Sequence, residues 1–115
     1  MEREKLATIL IEAHERGHNA AMNADIQMIR VKDSDGMVSD EFPICGFANV
    51  KVKGVRGKTL AEFKRRGFQK AYGGGQYLWV GDYNQSYDMK RSYAVEYART
   101  LKENGFDAYA CHSIY

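Results

Sequence analysis

Proline is nearly missing from this chain: Pro43 is the only one in 115 residues. That excludes proline-rich linkers and polyproline recognition tracts. Cysteine is scarce as well. Cys45 and Cys111 form no Cys-x-x-Cys pair, which excludes a disulfide scaffold, and two reduced, buried thiols are expected. No apolar run approaches the roughly 18 residues of a membrane span. The opening stretch "MEREKLATILIEAHERG" has neither the apolar core nor the small-residue cleavage site of a signal peptide, so the chain is expected to stay in the cytoplasm where it is made. An acidic excess is also lacking, since the net charge is +2. Strict mimicry of DNA by an acidic surface is therefore excluded.

What is present is a chain of single-domain length, 44% hydrophobic, read as one domain over 1–115. Leu6, Ile9, Leu10, Ala13, Gly17, Ala20, Ala21 and Ala24 recur at helical spacing, so residues 3–23 are expected to be helical. The small residues of its second half would let a neighbour pack close, unless Gly17 ends the helix early. Residues 26–32 read as a strand, "DSDG" at 33–36 as a turn, and 37–44 as loop around Pro43. "CGFANVKVK" at 45–53 alternates, with Ala48, Val50 and Val52 on one face and Phe47, Asn49, Lys51 and Lys53 on the other. A short helix follows, opened by a Thr59/Glu62 capping box and closed by Gly67. "QYLWV" (76–80) is a strand. A long helix over 86–104 is capped by Ser86 and closed by Gly105, and "DAYACHSIY" (107–115) is the last strand. The order α-β-β-α-β-α-β predicts an α+β domain: a four-stranded mixed sheet with helices mainly on one face.

Several constellations could carry chemistry. "HERGH" (14–18) fits His-Glu-x-x-His, in which His14 and His18 would share a zinc ion and Glu15 would act as base. A third ligand is wanting, because the one other histidine, His112, lies on the last strand. Adjacent strand residues point to opposite faces, so Cys111 and His112 would not converge on a metal either. "GGG" at 73–75 precedes a strand and has no Lys-Ser/Thr after it, so it is a turn and not a phosphate loop. No cofactor is expected. The starts of the two later helices could hold an anion, one at Thr59 and one at Asn84, Gln85 and Ser86 with Lys90 and Arg91 a turn on. Were strands 45–53 and 76–80 parallel, both starts would share one sheet edge. Were Phe47, Lys51, Tyr77 and Trp79 to share an uncovered face, that face would resemble an RNA-stacking sheet.

Charge is unevenly spread. Residues 51–70 hold Lys51, Lys53, Arg56, Lys58, Lys64, Arg65, Arg66 and Lys70 against Glu62 alone, a local +7, while the rest of the chain sums to −5. This segment is the expected partner surface.

The stretch "CGFANVKVKG", the "YGG" turn before an aromatic strand, the "NQS" that opens a long Ala-rich helix and the closing "NGFDAYA" together resemble small accessory proteins of tailed bacteriophages and prophages. The "AHERGHNA" passage is similar too, although the pattern does not as a rule carry the second histidine. The resemblance covers about two thirds of the chain. It implies a phage-encoded accessory protein in the bacterial host cytoplasm and carries no catalytic residues with it. The first expectation is therefore a non-enzymatic binding protein, an anti-defence inhibitor of the anti-CRISPR kind. Its partner would be a host protein or nucleoprotein complex, with no membrane involved and homo-oligomers open. The alternatives are direct nucleic-acid binding, a sponge for a nucleotide signal, and a minimal zinc peptidase.

Overall fold

The computed structural model describes residues 1–32, 38–84 and 86–115, without the side chains of 29–32 and 38–42. The "DSDG" turn and Gln85 lie outside the described residues. Helix α1 spans Arg3–Met22 and buries Leu6, Ile9, Leu10, Ala13, Gly17 and Ala21. It runs straight through Gly17. A Cβ there would sit 2.9 Å from Tyr93 Cδ2 and 3.0 Å from the Tyr93 carbonyl oxygen. Glycine costs helix propensity, but here it lets α1 lie directly on α3 (Tyr87–Glu103). The small-residue stripe thus marks a close helix pair and no helix end.

Helix α3 starts as its sequence predicts. The Ser86 hydroxyl accepts from the Met89 N–H at 3.3 Å, and Asp88 favours the positive end of the helix. At its far end Gly105 adopts φ +88°, and the Phe106 N–H reaches back to the Leu101 carbonyl at 3.1 Å. Helix α2 (Gly57–Arg65) closes in the same way. Gly67 takes φ +101°, the Phe68 N–H bonds the Phe63 carbonyl at 3.1 Å, and the two rings pack edge to face at 5.0 Å. The capping box at its start does not form. The helix begins at Gly57, two residues before Thr59, and no side chain caps it. Glu62 is instead buried beneath Arg3, Arg65 and Arg66, whose Nε atoms lie 3.5–3.8 Å from its carboxylate. Three cations offset the cost of that burial.

The sheet contains β3 (Gly46–Lys53), β4 (Gln69–Lys70), β5 (Gln76–Trp79) and β6 (Asp107–Ile114), in the order β4-β5-β3-β6. Every neighbouring pair is antiparallel, which corrects the mixed sheet expected from the helical crossovers. Each crossover does join two parallel strands, β3 to β4 and β5 to β6. A third strand then slots between the members of each pair, so no parallel strands touch. From β3 onward the order β-α-β-β-α-β is the split β-α-β arrangement of ferredoxin-like domains. All three helices lie on one face, as expected. Ala48, Val50 and Val52 have no exposed surface and meet Leu10, Phe63, Ala94, Tyr97 and Leu101 in one core.

The segment read as strand plus loop is a separate ribbon outside this sheet. β1 (Met28–Lys32) pairs antiparallel with β2 (Val38–Pro43), from Met28 opposite Pro43 to Lys32 opposite Val38. Pro43, taken as a loop marker, is the last residue of a strand, where its missing N–H is tolerated.

Candidate functional site

Among the described residues no helix lies over the sheet's second face. Alternation places Phe47, Asn49, Lys51 and Lys53 of β3 there. Register adds Tyr77 and Trp79 of β5, opposite Lys51 and Asn49, and Asp107, Tyr109, Cys111 and Ser113 of β6, opposite Lys53 through Phe47. Short β4 contributes Gln69, opposite Tyr77. The conditional expectation for Phe47, Lys51, Tyr77 and Trp79 is met, and the face extends beyond those four.

Its aromatic rings touch one another. Tyr77 and Trp79 lie 5.4 Å apart, edge to face. Phe47 and Trp79 are 5.6 Å apart, and Tyr115 extends the row at 6.0 Å from Phe47. Trp79 is 47% exposed and Tyr115 77% exposed. The Lys53 ammonium sits over the Tyr109 ring, 5.6 Å from its centre. The result is a row of four touching rings, tilted 44–68° to one another, with Lys51 and Lys53 beside it and the Asp107 carboxylate opposite Lys53. Tyr109 and Tyr115 were legible from alternation alone, because they share parity with Cys111 on a strand whose Ala108 and Ala110 turn inward.

The basic segment 51–70 is dispersed by the fold. Lys51 and Lys53 belong to the open face. Lys58, Lys64 and Arg65 sit on α2, in the helical layer behind it, with Arg66 at its C-terminal cap and Arg56 just before its start. Lys70 lies on edge strand β4, opposite Gln76 on the helix side. Arg65 and Arg66 lean on Glu62, so their charge is partly answered within the chain.

The helix-start anion sites are not brought together. Because β3 and β5 are antiparallel, the starts of α2 and α3 lie at opposite ends of the sheet. At α3 the donors already serve the chain. Ser86 is buried and holds the Met89 N–H, and the Tyr87 N–H bonds the Ile44 carbonyl at 2.9 Å. Lys90 is buried as well, with Nζ 3.4 Å from the Gly46 carbonyl. Arg91 is exposed and lies near His112. Asn84 is exposed at φ +53° beside Tyr83 at +71°, a left-handed pair that turns the chain into α3.

The His-Glu-x-x-His histidines are tied to tyrosines. His14 Nδ1 is 2.6 Å from Tyr93 Oη and His18 Nδ1 is 2.8 Å from Tyr83 Oη. These bonds hold the two rings nearly parallel with centres 6.3 Å apart. Among the described residues no three His, Cys, Asp or Glu side chains gather around one point. Burial, with Tyr97, Tyr83 and Asp82 adding to it, pushes the Tyr93 hydroxyl well above its ordinary range, so it keeps its proton. Cys111 and His112 diverge as expected. His112 faces the helices, with Nδ1 2.8 Å from Tyr87 Oη, and its basicity is lowered by burial and by Arg91. Cys111 stands on the open face and not in the core. Both cysteines are free thiols.

No family model, curated protein or solved structure matches the chain. Among the described residues no helix is long and apolar enough to cross a membrane.

Proposed function

We propose that this chain is a non-enzymatic binding protein that takes single-stranded nucleic acid on the open face of its sheet. The observation that carries this reading is the row of rings, Tyr115, Phe47, Trp79 and Tyr77, on the exposed side of β3 and β5, with Lys51 and Lys53 beside it. An unstacked base has a π-face to offer such rings, and each base–aromatic stack contributes about 1–3 kcal/mol. The lysines supply phosphate contacts that hold the strand in place without reading its sequence. Duplexes hide their base faces, so single strands are preferred. In known RNA-binding sheets of four strands the stacking aromatics stand on the sheet in the same way. That analogy concerns architecture, and the fold by itself implies no function.

The phage resemblance supplies a setting for this activity. A phage accessory protein with such a face would meet the exposed strands of a host nucleoprotein complex, and inhibition of host defence is the role we assign to that encounter. Fluorescence titration tests the binding reading. Trp79 is the only tryptophan of the chain and lies within the face. Stacking of a base on it quenches its emission, in a manner that fades as salt rises. An emission unchanged by oligonucleotide at low salt would refute the reading. Pull-down from bacterial lysate with and without nuclease tests the setting: host proteins lost on nuclease treatment support it, and nuclease-resistant capture points to a direct protein partner.

A further inference from the structure

On the opposite side of the molecule a cleft opens between α1, the end of α2, α3 and β5. Its volume is about 390 Å³, within the ordinary range of small-molecule sites. Leu10, Ile11 and Leu78 give it an apolar floor, and His14, Glu15, Arg66, Tyr93 and Tyr97 supply its polar groups. Ile11 is a large apolar side chain left 44% exposed at the cleft.

We propose that this cleft binds a small organic monocarboxylate, with its apolar body on Leu10, Ile11 and Leu78 and its carboxylate between Arg66 and the Tyr97 hydroxyl. Tyr97 carries the argument. Its side chain is 2% exposed, yet its hydroxyl takes part in no hydrogen bond among the described residues, unlike those of Tyr83, Tyr87 and Tyr93. The ring is buried but the hydroxyl is not among the buried unpartnered atoms of the described residues, so it opens into the cleft as a free donor beside Arg66. Burial raises its pKa, while Arg66 works in the opposite sense, so it stays an O–H donor. The guanidinium of Arg66 touches Glu62 only loosely through Nε, at 3.8 Å, and its terminal nitrogens are left to serve a planar carboxylate. His14 is oriented by Tyr93. With the tyrosine donating to Nδ1, the remaining imidazole proton sits on Nε2 as a further donor.

The charge count decides between anions. Arg66 is the one permanent cation lining the cleft, and the Glu15 carboxylate lines it too. A dianionic phosphate ester is therefore disfavoured, and a single negative charge on an apolar body is favoured. This site is independent of the sheet face, and either can fail without the other.

The test uses benzoate, phenylacetate and hexanoate as probes, with acetate and phenyl phosphate as controls. Binding is read from NMR shifts of His14 and Tyr97 and from thermal stabilisation. The three probes should move both signals and raise the melting temperature, and the controls should do so at least tenfold more weakly. Arg66→Gln should weaken binding by about tenfold, the loss of one charge-assisted hydrogen bond. Tyr97→Phe, which keeps the ring and removes only the hydroxyl, should weaken it less. The proposal is overturned if millimolar probes leave His14 and Tyr97 unmoved, or if Arg66→Gln binds them as well as the parent chain.

Discussion

The two faces of the sheet are built from the same strands and do opposite things. On the covered face β3 presents Ala48, Val50 and Val52, small and β-branched residues with no exposed surface, under a layer of three helices. One residue over, the open face presents Phe47, Asn49, Lys51 and Lys53, joined by Tyr77, Trp79 and Tyr109. Bulky rings would normally be the residues to bury. Here β3 gives the core only small and β-branched side chains, the buried rings Phe63, Tyr93 and Tyr97 come from the helices, and the rings of β3 and β5 themselves are left on the open face. Stability and recognition are thereby assigned to opposite sides of one strand, and each can be altered without the other.

The largest expected effect of breaking that division lies on the covered side. Leu101→Ala removes a side chain with no exposed surface and should destabilise the fold by about 3 kcal/mol, read by urea denaturation. Gly17→Val should cost about 2 kcal/mol, because its first carbon would already press on Tyr93 at 2.9 Å. Truncation on the open side should leave stability nearly unchanged and act on binding. Trp79→Ala should weaken single-strand affinity by roughly 1–3 kcal/mol, one stacked base, in an anisotropy titration. A loss of stability matching that of Leu101→Ala would erase the distinction between the faces.

A subtler change sharpens it. Lys51→Gln with Lys53→Gln should lower the slope of log K against log salt by about 1.4, the release of two counterions from a single strand. The same substitutions at Lys64 and Arg65, in the helical layer, should leave the slope where it was. The smallest effect concerns pH. The folded-state pKa of His112 is lowered by burial and by Arg91. Its contribution to stability is therefore full above its unfolded value, about 6.5, and is lost as pH falls through the lower folded value. A slightly shallower acid limb for His112→Gln in pH-dependent denaturation checks this.

Much of this arrangement was legible in the chain because it depends on neighbours. The alternation of "CGFANVKVK" identifies both faces of β3, and Ser86, Gly67 and Gly105 mark helix ends through hydrogen bonds three to five residues long. What was not legible depends on distant partners. Thr59 and Glu62 spell a capping box, but Arg3, about sixty residues away, helps draw Glu62 into burial. His14 and His18 spell a zinc motif, but whether a third ligand joins them depends on distant residues, and among the described residues none does. The two residues of β4 are too few to show a period, and they make the sheet antiparallel throughout. The 51–70 charge run looks like one patch in sequence because sequence carries no sidedness across a strand-to-helix turn.

The central claim is that the exposed rings of β3 and β5 receive bases. The most direct measurement follows Trp79 emission while a single-stranded oligonucleotide is added at low salt, with a duplex of the same sequence in parallel. The account predicts saturable quenching by the single strand, much weaker quenching by the duplex, and loss of both as salt is raised. Emission that does not change with the single strand, or that responds equally to the duplex, would contradict it.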